Sequence, residues 1–113
     1  MSKRAALAAV LAVLAAAAGA QSADDLARAG RAAFGDAQYA QAVRSFQQIL
    51  DDHPASARAP EAAYLLGASL YLLDRPQEAV DRLEALRRAS PGSPLALQAG
   101  WWLGAAYVSS GRA

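Results

Sequence analysis

Few side chains in this 113-residue chain can move a proton or hold a metal. His53 is the only histidine, it follows Asp51 and Asp52, and cysteine is absent. An Asp-Asp-His run can supply a general base with an orienting carboxylate, or part of a metal site, but either chemistry needs further groups converging in a cleft. The sequence offers no second histidine, no thiol, no glycine-rich phosphate loop and no acidic cluster with metal-ligand spacing. At a helix end an imidazole is favoured by the negative pole of the helix dipole, and that structural role is the one expected for His53. Asp51-Asp52, Arg87-Arg88 and the Asp81, Arg82, Glu84 group read as solvated helix ends and outer faces. The chemistry that remains is contact. The two Phe, four Tyr and two Trp supply large, stiff side chains of the kind that anchor protein interfaces. Binding without catalysis, and without a cofactor, is the expectation.

The elements that must position these rings begin after a segment of different character. Lys3 and Arg4, the apolar run Ala5 to Ala17 and the small-x-small ending Ala18-Gly19-Ala20 read as an export signal cut after Ala20. Ala5 to Ala20 falls short of the roughly 20 apolar residues that span a bilayer, so no stable membrane insertion is expected after cleavage. Lys3 and Arg4 leave with the signal, the formal charge turns from +1 to −1, and no electrostatic case for nucleic acid survives. An export signal with neither an anchor nor a cysteine to carry lipid implies a periplasmic or secreted protein.

Beyond it, apolar residues recur at three and four spacings between short turn clusters, which predicts an all-α chain of five antiparallel helices. The first is expected over about 24–35, with Asp24 and Asp25 at its positive pole and an inner face of Leu26, Ala29, Gly30 and Ala33. After a turn at Asp36 or Ala37, the second runs over 39–52 and buries Ala42, Val43, Phe46, Ile49 and Leu50. The third follows Ser56 as its cap and reaches about Leu73, with Pro60 early in it. The fourth starts at Asp74, which has capping-box spacing to Gln77, and presents Val80, Leu83 and Leu86 to the core. Ser93 as N-cap and Pro94 at the first helical position open the fifth, which carries Trp101, Trp102, Gly104, Tyr107 and Val108 to about Ser110. Trp102 and Tyr107 are expected to be buried.

One period runs through these helices. Gly30, Gly67 and Gly104 stand 37 residues apart, and Ala42 recurs as Ala79, Val43 as Val80, Phe46 as Leu83, Ile49 as Leu86, Pro54 as Pro91 and Tyr64 as Trp101. Such a period means stacked units, none of which buries its apolar face alone. The pattern resembles the tetratricopeptide repeat (TPR), a helix pair of usually 34 residues with a small residue midway in its first helix and Ala, an aromatic and a closing Pro after it. Gly30, Ala42, Phe46 and Pro54 occupy those positions in one copy, and Gly67, Ala79, Leu83 and Pro91 in the next. The glycine and alanine let two backbones approach, with Phe46 or Leu83 filling the space towards the next repeat. The extra residues belong in the loops between repeats. This long form, with Pro-x-Ser before the next helix, is similar to that of exported bacterial envelope proteins, notably the TPR coordinator of the Tol–Pal system.

The resemblance implies an antiparallel helix-pair solenoid over 21–113 behind a signal peptide of residues 1–20. Repeat 1 covers about 23–56, repeat 2 about 57–93, and helix A of a third about 94–113. The chain stops in the turn that would introduce the partner of that last helix, so a C-terminally incomplete protein is expected. The resemblance also implies a concave protein-binding groove lined by the first helix of each pair: Arg31, Phe34, Glu61, Tyr64, Tyr71, Gln98 and Trp101, with Ala68, Ala105 and Val108 among them. The function implied is a non-catalytic periplasmic scaffold that binds a peptide segment or an envelope protein, with self-association through the terminal helix as a variant. The alternative is a docking module of a larger exported enzyme whose catalytic domain lies beyond residue 113.

Overall fold

The computed structural model describes residues 21–111, so the expected signal peptide lies outside the described residues. Five helices carry the chain: α1 (Ala23–Gly35), α2 (Tyr39–Asp52), α3 (Ala59–Leu72), α4 (Pro76–Ala89) and α5 (Pro94–Ser110). Two of them open as serine caps should, each closing one of the free N–H groups of a first turn. Ser22 Oγ accepts from the Asp25 N–H at 3.0 Å, and Ser93 Oγ accepts from the Ala96 N–H at 3.1 Å. Ser56 does not cap α3 in this way. Its hydroxyl accepts from the Arg58 N–H at 3.0 Å, in a turn that precedes the helix, and Arg58 is the N-cap.

The capping box expected at Asp74 and Gln77 is also absent, because Asp74 belongs to the end of α3 and not to the start of α4. It adopts a left-handed conformation, with φ 62°, as does Ala37 with φ 59°. The Gln38 N–H reaches back to the Ala33 carbonyl at 2.8 Å and the Ala37 N–H to Phe34 at 3.1 Å. After α3 the Arg75 N–H meets Leu70 at 2.9 Å and the Asp74 N–H meets Tyr71 at 3.0 Å. Both are Schellman turns, in which a left-handed residue satisfies the last carbonyls of a helix. Gly111, a further 37 residues on, has φ 75° and closes α5. Only there is the residue one without a Cβ to strain. Ala37→Gly should therefore raise stability by about 1 kcal/mol, the left-handed cost outweighing the freedom glycine gains in the unfolded chain. Thermal unfolding should show a midpoint several degrees higher. Ala32→Gly, at an exposed position within α1, should lower it instead.

Each helix packs on its neighbours in sequence, α1 also touches α3, and α3 touches α5, while α2 and α4 do not meet. The stack therefore curves with α1, α3 and α5 inside. Its core runs continuously from Leu26 and Ala27 through Phe46, Ile49, Leu66, Val80 and Leu83 to Leu103 and Ala106. Ala27, not Ala29, faces that core, and Ala29 is exposed. The reason lies in the repeat: Ala29 corresponds to Leu66 and Leu103, and among the described residues no helix pair precedes α1 to cover it. One large residue lies at the centre of each pair. Phe46 and Leu83 sit against the glycine of their own pair. A methyl group built on Gly30 would lie 2.7 Å from the Phe46 ring, and one on Gly67 2.5 Å from Leu83 Cγ. One built on Gly104 would meet nothing within 4 Å. Ser69 is the buried polar residue of the core, and its hydroxyl donates to the Leu65 carbonyl at 2.6 Å. These helix pairs make the molecule an all-α solenoid.

Candidate partner-binding surface

The inner helices present side chains of two kinds. Between α1 and α3 the surface is charged: Arg31 Nε lies 3.1 Å from Glu61 Oε1 and also donates to the Ala27 carbonyl at 3.3 Å. Arg58 extends this group, 4.0 Å from Glu61 and 2.8 Å from Asp24. The hydrogen bond from Arg58, and then its positive charge, hold the Asp24 carboxyl below the usual carboxylate range, and the same pairing raises Arg58. Both groups are exposed, so water screens the pair and it adds little to stability. Asp24 and Arg58 were not among the expected groove residues. Their signal was an opposite-charge pair at nearly one repeat of separation, which without the turn before α3 had no defined geometry.

Between α3 and α5 the surface is aromatic. Trp102 is half-buried at its centre, where its Nε1–H donates to the Tyr64 hydroxyl oxygen at 2.9 Å. The same indole stands edge-on to Tyr71, with ring centroids 5.7 Å apart, and edge-on to Trp101 at 4.8 Å. One indole thus touches two tyrosines that lie two helical turns apart on α3. Trp102, expected in the core, is the keystone of this surface. Trp101 is 70% exposed beside it. Tyr107 is likewise half-buried, and its hydroxyl donates to the Glu84 carboxylate on α4.

Of the other residues assigned to the groove, Phe34 closes the corner between α1 and α2, edge-on to Tyr39 at 5.6 Å. Gln98 and Val108 are exposed on α5, and Ala105 is half-buried. Ala68 is fully buried, so it lines no surface. The structure therefore brings Tyr64, Tyr71 and Trp101 into one group and Arg31 with Glu61 into another, and leaves Phe34 apart from both.

His53 stands at the end of α2. Its backbone N–H ends α2 on the Ile49 carbonyl at 2.8 Å, and its Nε2 lies 2.9 Å from the Gln21 carbonyl. Asp51 Oδ1 accepts from the Gln47 side-chain amide at 2.9 Å. Among the described residues no three His, Cys, Asp or Glu side chains are grouped to hold a metal, and no helix is long and apolar enough to cross a membrane. A hollow of about 360 Å³ between α2, α4 and the start of α3 has Arg82 as its one ionisable lining residue.

Paired helices of this kind, with a glycine in the first seating a large residue of the second, are what the tetratricopeptide repeat model describes, and it matches residues 27–94. No curated protein and no solved structure matched the chain. Repeats of that family generally mediate contacts between proteins and are typically not catalytic. With its fold, its 37-residue period and most of its helices inside that match, the chain belongs to the tetratricopeptide repeat family.

Proposed function

We propose that this chain is a non-catalytic scaffold of the bacterial cell envelope, exported by residues 1–20, that holds a peptide segment of a partner protein against the aromatic half of its concave face. The observation that carries this reading is the ring platform on the inner helices. Trp102 is held by a hydrogen bond to Tyr64 and by edge contact with Tyr71, with Trp101 open beside it. Rings already fixed by their neighbours lose little freedom on binding, so more of the contact energy appears as affinity. The charged half, Arg31 with Glu61, would orient the segment, and Gln98 would offer an amide to its backbone.

The envelope setting rests on the export-signal pattern of residues 1–20 and on the long repeat with Pro-x-Ser, which is similar to that of the Tol–Pal coordinator. Export predicts a product whose mass corresponds to cleavage after Ala20. Tyr64→Ala and Trp101→Ala should each weaken capture of the partner from an envelope extract by about 30-fold, the loss expected of a hot-spot aromatic. Circular dichroism should show the helices retained. Unchanged capture by both folded variants would sink the assignment of this surface.

A further inference from the structure

Gln21 stands apart from the helix that follows it. It is exposed and lies outside α1, whose N-cap is Ser22. Its backbone carbonyl has a partner across 32 residues of chain: His53 Nε2, at the end of α2, lies 2.9 Å from that oxygen. With the proton on Nε2 the imidazole donates to it. That contact holds the main chain of residue 21 against the first helix pair and leaves the side-chain amide unoccupied and open to water.

Cleavage after Ala20, as in the exported scaffold proposed above, makes Gln21 the first residue and gives it a free α-amine. The inference rests on that reading. Glutamine has the arm length that closes an unstrained five-membered ring on its own α-nitrogen, whereas asparagine would have to close a strained four-membered one. We infer that Gln21, once the chain is cut there, is converted to pyroglutamate, a neutral lactam terminus whose backbone carbonyl remains on His53.

The α-nitrogen attacks the side-chain carbonyl carbon Cδ, a carbon–nitrogen bond forms, and the bond from Cδ to the amide nitrogen breaks. That nitrogen departs as ammonia, taking with it a proton from the α-nitrogen. No oxidant, reductant or second substrate is consumed. Both reacting groups belong to one residue, so the step has the advantage of an intramolecular reaction. An α-amine with the ordinary pKa of about 7.7 to 8.0 is partly unprotonated at neutral pH, which supplies the nucleophile. The product carries no terminal charge and no primary amine, so aminopeptidases that grip a free terminus find none ahead of α1.

Mass spectrometry of the exported chain tests this. The full chain is expressed with residues 1–20 in a Gram-negative bacterium, recovered from the periplasm and held for some days at neutral pH. Its free amines are labelled before any digestion, so that ring closure during digestion is not counted, and trypsin then releases the peptide that ends at Arg28. That peptide should start at Gln21, carry no label and be lighter by one molecule of ammonia. Gln21→Asn, exported and cut at the same bond, should carry the label in full. A peptide that starts at Gln21 with its full mass and a label overturns the inference and leaves the export reading standing. An unlabelled asparagine variant would also overturn it, because something other than ring closure would then block the terminus. A chain that keeps residues 1–20, or starts at another residue, overturns both readings.

Discussion

Replacing Gly67 with alanine should lower the midpoint of thermal unfolding by about 5 to 15 °C, whereas the same change at Gly104 should raise it slightly. Both glycines lie inside helices, where alanine is intrinsically better by about 1 kcal/mol. Surroundings decide the sign. At Gly67 the new methyl would stand 2.5 Å from Leu83 Cγ, the branch point of a fully buried side chain held by close-packed neighbours. Relief requires α3 and α4 to separate, and overpacking of that kind costs about 1 to 3 kcal/mol or somewhat more. At Gly104 nothing lies within reach, and the propensity gain is all that remains. Gly67→Ala combined with Leu83→Ala should lose less than the two single changes summed, because the second change makes room for the first. Equal midpoints for the Gly67 and Gly104 variants would mean that the close approach of α3 and α4 is not what the glycine provides.

Phe46→Ala should cost about 3 to 5 kcal/mol, the largest loss from any single truncation in this core. The ring is fully buried and rests on Gly30, so alanine leaves a void bordered by a residue with no side chain to collapse into it. A domain of this size has about 5 to 15 kcal/mol in total, which makes the loss a large share. Chemical denaturation should show it as a lower midpoint, and hydrogen exchange should show α1 and α2 losing protection before α3 and α4. Phe46→Leu should lose much less, since Leu83 performs the same task on Gly67. A Phe46→Ala chain as stable as its parent would refute this account of the first pair.

The sequence made the helices legible, because their apolar spacing and their turns repeat with one period. The second helix, for instance, begins and ends where its pattern predicts. What misled was local chemistry with two readings. Asp74 followed by Gln77 at capping spacing looks the same whether the aspartate starts a helix or ends one in a left-handed turn. Ala27 and Ala29 are chemically identical, and only the position of the neighbouring pair decides which is covered. The aromatic cluster between α3 and α5 was legible in its members Tyr64, Tyr71 and Trp101. Trp102 was not, because an indole beside a core leucine reads as core until its N–H is seen to find Tyr64.

Among the described residues each helix touches only the next one along the chain or the next but one. Every contact that forms during folding therefore closes a short loop, and closing short loops is entropically cheap. Order can begin in either helix pair and spread to its neighbour without waiting for distant segments to meet. The same arrangement that leaves α2 and α4 apart makes this a chain whose assembly is fast and whose ends can open without undoing its middle.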